Sequence, residues 1–412
     1  MRYGLLGEVL GHSFSKSIHN TLGDYSYDLI EVKKDELDAF IGAKDFAGLN
    51  VTIPYKESVI PYLDHIDEAA KNIGAVNTIV NRDGKLYGYN TDFYGMSRLI
   101  SHAKISLAGM KVIILGTGGT SKTAKAVAKS LGAREILRVS RSCGEDVITY
   151  DELYQSHTDA DVLINTTPVG MHPNSDKAPV EIDRFPCLVG VIDAIYNPLR
   201  TPLIVEAKKR KIKAEGGLYM LVAQAVRASE IFLNTRYDEC VVDKIWRRMI
   251  REKENIVLIG MPASGKSTVG KILEKKLGKR LVDTDKVIEM RAHKSITRIF
   301  EDEGEGYFRD LEAAVIKELS CETGMIIATG GGSVLRSESV DNLKKNGRLY
   351  FVDRPLSKLI PTASRPLANN TDAIEKRYNE RYGIYSSVCD LRIDSNTSAP
   401  MTADKIIADF YS

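Results

Sequence analysis

Ile256-Val-Leu-Ile259-Gly260-Met-Pro-Ala-Ser-Gly265-Lys266-Ser267-Thr268 is the stretch that decides how the chain folds. A short apolar, mostly β-branched run enters a turn matching G-x-x-x-x-G-K-[ST], and a helix-period pattern begins near Gly265. A strand that feeds a glycine-rich loop at a helix start is a phosphate cradle. The glycines let backbone N–H groups curl around oxyanions, Lys266 neutralises a transferring phosphoryl group, and Ser267 is placed to ligate Mg2+. Gly260, Ala263, Ser264, Gly265, Ser267 and Thr268 are the expected nucleotide contacts, with Lys266 catalytic.

Upstream, Lys111–Leu115 runs into Gly116-Thr-Gly118-Gly119-Thr120-Ser121 and a helical run at 122–131. That is the setting of a dinucleotide fingerprint, with small Ser121 at the third glycine position; a plain structural turn is the alternative. The next strand, 135–139, ends at Ser140-Arg141-Ser142, where an NAD site usually places an acidic residue. Arg141 suits a 2′-phosphate, hence NADP, while Glu145 and Asp146 keep NAD open. Further apolar runs at 162–165, 189–193, 325–328 and 349–352 alternate with helical periods, which defines an α/β protein with parallel sheets and crossover helices. The amphipathic pattern at 238–252 closes the first half, and the expected cut falls at 253–255.

Composition excludes several classes. The 412 residues are 43 % apolar and 27 % charged, which is globular rather than disordered, and long enough for two or three domains. With 57 basic against 55 acidic residues and no long block of one sign, nucleic-acid binding is not expected. No run of about 18 apolar residues provides a membrane span, and the start lacks a signal-peptide pattern. Five scattered cysteines without a CxxC pair fit a reducing cytoplasm, and seven histidines show no metal-ligand spacing. Nothing in the pattern sets an oligomeric state.

Downstream of the phosphate loop, Leu281-Val282-Asp283-Thr284-Asp285 reads as a strand ending in two carboxylates at i and i+2, hence on one face. One would serve the metal and one the acceptor hydroxyl; a helix cap is the alternative. Thr329-Gly330-Gly331-Gly332 after another strand permits close backbone approach to a ligand. Arg309, Arg365 and Arg381 are candidate ligand clamps. These motifs, with Tyr307-Phe-Arg309, Arg365-Pro-Leu367 and Glu380-Arg381-Tyr382, resemble the shikimate kinases over residues 254–412. The resemblance implies ATP as phosphoryl donor and Mg2+ held at Ser267 and Asp283. It further implies that Asp285 holds the ring hydroxyls and acts as base, that Arg309 and Arg381 grip the carboxylate, and that Gly331 and Gly332 lie against the ring. Arg365 would belong to a lid over the phosphates; the stretch 360–364 departs from the family by being short, with no arginine upstream of Arg365 to stack on adenine.

The N-terminal hundred residues carry polar pieces that suit a polyhydroxylated anion: Gly11-His-Ser13-Phe-Ser15, Asn50-Val-Thr52-Ile-Pro-Tyr-Lys56, Gly74-Ala-Val-Asn77-Thr78 and Asn90-Thr-Asp92. With Asn165-Thr166-Thr167, the segment 193–196 and Gly217 to Gln224, they resemble the shikimate dehydrogenases from Met1 to about Arg251. By that resemblance Ser13 and Ser15 bind the substrate carboxylate, Thr52, Asn77, Asp92 and Gln224 the ring hydroxyls, and Lys56 and Asp92 are the catalytic pair. Tyr196 and Gly217 join the substrate site. Gly116, Gly118, Gly119, Thr120, Ser121, Ser140, Arg141 and Thr166 hold NADP(H). Val9 and Lys16 stand where these enzymes often carry proline. The implied organisation is a dehydrogenase over 1–252, with a substrate subdomain (1–102 and 226–252) and a Rossmann subdomain (103–225), followed by a P-loop kinase domain over 253–412. The implied substrates are 3-dehydroshikimate and shikimate. The alternatives are an active dehydrogenase with a nucleotide-sensing kinase-like domain, or an NAD-dependent quinate/shikimate dehydrogenase.

Overall fold

Apolar strands and amphipathic helices alternate through the whole chain and build three sheets. The computed structural model describes residues 2–11, 14–142, 144, 146–360 and 371–412. The chain forms two compact units, Met1–Arg247 and Arg248–Ser412. Their division falls inside the helix Val241–Lys253, which itself ends at Lys253, within the expected cut at 253–255.

The first unit holds two six-stranded sheets. One contains β1 (Tyr3–Gly7), β2 (Tyr27–Glu31), β3 (Gly48–Val51), β4 (His65–Ile66), β5 (Thr78–Arg82) and β6 (Lys85–Tyr89), in the order β2-β1-β3-β5-β6-β4. β5 is antiparallel to both β3 and β6. Asp83 and Gly84, both at positive φ, make the two-residue turn between β5 and β6, a conformation that Asp-Gly adopts at little cost. Leu6, Phe46, Leu49, Ile79 and Leu86 fill the core on this sheet.

The other sheet is wholly parallel: β7 (Lys111–Leu115), β8 (Glu135–Ser140), β9 (Val147–Thr149), β10 (Val162–Asn165), β11 (Gly190–Asp193) and β12 (Lys213–Glu215), in the order β12-β11-β10-β7-β8-β9. β7 and β10 are buried along their full length, as strands covered on both faces must be. The order reverses at β7, so the crevice beyond the carboxyl ends of β7 and β10 is the ligand position of a doubly wound sheet. The helix Leu218–Leu233 is continuous through the subdomain boundary expected at 225/226. Its apolar run contains no breaker. It packs on the helix Thr91–His102, where a Cβ on Gly95 would stand 2.8 Å from the Met220 carbonyl oxygen.

The second unit has one parallel sheet: β13 (Asn255–Ile259), β14 (Leu281–Asp283), β15 (Ile326–Ala328), β16 (Gly347–Asp353) and β17 (Leu391–Asp394), in the order β14-β15-β13-β16-β17. β13 lies in the middle, so the loop after it emerges between the carboxyl ends of β15 and β16. The described cysteines Cys187, Cys240, Cys321 and Cys389 are free. Among the described residues no helix is long and apolar enough to cross a membrane.

Candidate active sites

In the first unit Lys56 follows β3 on a turn that is tied down by the buried Tyr55, whose hydroxyl donates to the Val32 carbonyl at 2.6 Å. Asp92 lies in the first turn of Thr91–His102, which is capped by Asn90 accepting from the Phe93 N–H. Lys56 Nζ meets Asp92 Oδ2 at 2.6 Å, with both side chains largely buried. They line a cleft of about 170 Å³ with Ser15, Asn50, Thr52, Asn77, Thr120, Tyr196, Gly217 and Gln224. The spacing of 36 residues between lysine and aspartate carries no signal in the sequence; pairing of β3 through β5 to β6 brings them together.

The cleft floor is a hydrogen-bond chain. Tyr27 donates to Asn50 at 2.7 Å, and the Asn50 amide donates to Thr78 Oγ1 at 3.1 Å. Asn77 Oδ1 accepts from the Thr91 N–H at 2.7 Å, and Thr91 Oγ1 reaches Gln224 Oε1 at 3.5 Å. Asn50 and Thr91 stand inside the polar motifs with no role expected of them, because a polar side chain buried beneath a site reads like any turn residue. Gly217 begins the helix Leu218–Leu233, and a Cβ there would collide with the Ala194 carbonyl.

The dinucleotide turn lies beside this cleft. Gly116 has φ 108°, and a Cβ on it would stand 2.8 Å from Thr166 Oγ1, which itself donates to the Leu115 carbonyl at 2.6 Å. Ser121, in the third-glycine position, is buried and donates to the Gly116 carbonyl at 2.7 Å, so its hydroxyl closes the turn. The helix Gly119–Ser130 starts there, and a Cβ on Gly119 would find Lys56 Cδ at 3.9 Å. At the end of β8 Ser140 is half-buried and Arg141 exposed. Behind the crevice Asp193 is fully buried, accepting from Asn165, Thr201 and the Ile195 N–H; burial pushes its carboxyl up to about 6. Ser13 lies outside the described residues.

In the second unit the phosphate loop forms one wall of a cleft of about 650 Å³ that also includes Asp283, Asp285, Arg309, Glu312, Gly330, Gly331, Gly332, Arg354 and Arg381. Gly260, Ala263 and Gly265 all take positive φ, and Lys266 Nζ donates to the Gly260 and Met261 carbonyls at 2.8 and 2.9 Å. Ser267 donates to Asp283 Oδ2 at 2.7 Å. The expected shared strand face of the two carboxylates is corrected: β14 ends at Asp283, which caps the helix Thr284–Ala292 by accepting from the Asp285 N–H at 3.1 Å, so Asp285 projects from a helical turn. Both still line the cleft.

Arg309 is held by a carboxylate that the sequence motifs do not single out. Glu312, one turn along the helix Gly304–Leu319, is 2 % exposed, accepts from Arg309 Nη1 at 2.6 Å and from Ser333 Oγ at 2.6 Å. The signal was the i, i+3 Arg–Glu spacing, which occurs on many solvated helices. The three glycines are needed for close approach: a Cβ would strike Glu312 and Asp285 at Gly330, Pro262 at Gly331 and the Arg309 guanidinium at Gly332. Arg381 donates to the Gly331 carbonyl at 3.0 Å, and Tyr385 donates to the same oxygen. Arg365 lies outside the described residues.

The first unit thus joins a lysine–aspartate ion pair to a dinucleotide-type sheet, the make-up of an oxidoreductase. The second is a P-loop phosphotransferase fold. The chain belongs to the shikimate dehydrogenase family. It is 42 % identical to the "Shikimate dehydrogenase (NADP(+))" of Clostridium beijerinckii over 258 residues, 58 % of this chain and 93 % of that protein. Residues 5–79 match the family model for the shikimate dehydrogenase substrate binding domain, and residues 262–411 that for shikimate kinase. Among solved structures it is similar to shikimate dehydrogenase 1 of Peptoclostridium difficile, with TM-score 0.56 and 37 % identity, over 60 % of this chain and 98 % of that one. It is also similar to the Thermus thermophilus shikimate 5-dehydrogenase solved with NADP(H) and shikimate, with TM-score 0.54 and 26 % identity, over 60 % of this chain and 99 % of that one.

Proposed function

We propose that the chain is a bifunctional cytoplasmic enzyme: its first unit reduces 3-dehydroshikimate to shikimate with NADPH, and its second phosphorylates shikimate to shikimate 3-phosphate with ATP and Mg2+. The observation that carries the reading is the 2.6 Å Lys56–Asp92 pair beside the Gly119 turn, in a chain that also holds a complete phosphate loop facing Asp285, Arg309 and Arg381.

NADPH supplies the hydride when bound. Lys56 donates a proton to the alkoxide oxygen that develops on the ring, and Asp92 holds the ammonium in place. Ser15, Thr52, Asn77, Tyr196 and Gln224 offer the hydroxyls and amides that a polyhydroxylated carboxylate requires. Arg141 supports NADP over NAD: it is exposed at the end of β8, whereas Asp146, the described acidic residue nearby, is engaged by Lys125 at 3.1 Å.

In the second unit Asp285 receives the proton of the attacking hydroxyl, Arg309 and Arg381 orient the carboxylate, and Lys266 meets the charge on the transferring phosphoryl group. Ser267 and Asp283 would hold Mg2+, whose charge offsets that of the phosphates; adjacent hydroxyl and carboxylate oxygens suit a hard cation. Supplying 3-dehydroshikimate, NADPH and MgATP in one tube tests the whole reading. NADPH loss, ADP release and shikimate 3-phosphate are expected together. NADPH loss with no ADP, and shikimate accumulating, would reduce the second unit to a nucleotide-sensing domain.

A further inference from the structure

We propose that Arg354 is a phosphate-binding residue of the second unit, a cation that meets the terminal phosphates of the bound nucleotide over the start of the helix Lys266–Leu277. The inference rests on the nucleotide reading of that cleft and goes beyond it to a residue outside the glycine-rich motif.

Topology brings the residue there. β16 pairs with β13 in the register Ile259↔Phe351, so Arg354, just past the end of β16, stands level with the start of the phosphate loop. The loop is pressed against this strand: a Cβ on Gly260 would stand 2.8 Å from the Val352 carbonyl oxygen. Around Gly265, the residue that caps the helix Lys266–Leu277, the atom within reach of a Cβ is Arg354 Nη1, at 3.7 Å. The guanidinium therefore lies over the helix start, where backbone N–H groups gather anionic oxygens.

Charge accounting leaves the residue available to a ligand. Asp353, its neighbour, is taken by Arg392 at 2.7 Å and by the Tyr382 hydroxyl at 3.2 Å. Arg309 has Glu312 and Glu305, and Lys358 donates to the Asn396 carbonyl. Arg354 lines the cleft, its Nε is buried, and among the described residues it has neither a hydrogen-bond nor an ion-pair partner. Ser264 Oγ, 2 % exposed within the loop, is likewise without a hydrogen-bond partner among the described residues. A buried guanidinium N–H without an acceptor is costly, and a planar donor fork matches a phosphate oxyanion. Lys266 and Arg354, with Mg2+ when bound, would together neutralise a polyphosphate.

The test is calorimetric titration of the full-length protein with MgADP, AMP and shikimate, comparing wild type with Arg354→Ala and Arg354→Lys. Arg354→Ala should weaken MgADP by ~10- to 100-fold, AMP by less than ~5-fold and shikimate not at all, with Arg354→Lys in between. If wild type binds MgADP and Arg354→Ala binds it equally well, the assignment is overturned while the nucleotide reading stands. Equal losses for AMP and MgADP, or a parallel loss of shikimate, would make the residue structural and also overturn it. If wild type binds no MgADP, the nucleotide reading fails and takes the proposal with it.

Discussion

Two glycine-rich turns, each between a parallel strand and a helix, are built differently in this chain. The loop after β13 takes positive φ at Gly260, Ala263 and Gly265 and carries its own lysine and hydroxyls. The turn after β7 takes positive φ at Gly116, and its segment 116–121 holds no charged side chain; the cation beside it, Lys56, arrives from the other sheet. In phosphoryl transfer the reacting group is a phosphate, so a loop that cradles it also acts on the reaction. In hydride transfer the pyrophosphate is only a handle, and the acid–base pair belongs where the ketone lies.

The largest effects should come from the two lysines. Lys56→Ala is expected to lower the rate of 3-dehydroshikimate reduction by ~10³-fold while the dissociation constant of shikimate moves less than ~3-fold, measured by NADPH oxidation and calorimetry. Lys266→Ala should lower ADP release by a similar ~10³-fold and also weaken MgADP, because its charge acts on the bound phosphates themselves. A Lys56→Ala variant that lost turnover and shikimate affinity alike would erase the distinction between an imported catalyst and one built into its loop.

The glycines sharpen the contrast. Gly260 sits at φ 146° with the Val352 carbonyl 2.8 Å from where a Cβ would stand, so Gly260→Ala should cost about 1–3 kcal/mol in thermal unfolding of the second unit. Gly118 has φ −70° and no atom within 4 Å of where a Cβ would stand, so Gly118→Ala should leave stability within about 0.5 kcal/mol. Its effect would be on dinucleotide affinity, since the added methyl enters the space a pyrophosphate needs.

What was legible in the sequence follows the same division. The phosphate loop, its strand and its helix are contiguous, so residue type and spacing together set both fold and chemistry. The Lys56–Asp92 pair joins the turn after β3 to the helix after β6, across a mixed sheet whose pairing no local pattern specifies; only the family resemblance placed them together. Asp285 stands on a helix rather than the expected strand because Asp283 ends β14 by capping that helix, a choice that alternation of side chains along a strand cannot reveal. Asn50 and Thr91 act through neighbours that are distant in sequence, and Glu312 through an i, i+3 spacing common on solvated helices, and that is why no motif assigns them a role. The position 225/226 falls inside the helix Leu218–Leu233, whose uninterrupted apolar run carries no breaker to mark a boundary in the sequence.

Asp193 gives a pH signature confined to the first unit. Its folded-state value of about 6 lies above the ordinary 3.8, through burial among neutral donors, so the folded protein holds this proton more tightly than the unfolded chain. Stability contributed by the group is therefore gained as pH falls from about 6 towards 4 and lost as pH rises through that window. Relative to Asp193→Asn, which cannot titrate, wild type should become more stable by about 1–3 kcal/mol between pH 7 and pH 4 in denaturant titrations. A difference independent of pH would mean that the carboxylate stays ionised behind the crevice.

The smallest expected effect on catalysis falls on Arg141, and it bears on whether the dinucleotide turn is as neutral a seat as it looks. The residue is exposed at the end of β8, so any contact with a 2′-phosphate is screened by water and salt and should be worth only about 1–1.5 kcal/mol. Arg141→Ala should therefore raise the KM for NADPH by ~10-fold, leave that for NADH unchanged, and shrink the NADPH effect further at high ionic strength. Equal losses with both cofactors would assign Arg141 to the adenosine rather than the phosphate. Selection between NADP and NAD would then rest on another group, and the charge that distinguishes this turn from the phosphate loop would have to be sought outside the end of β8.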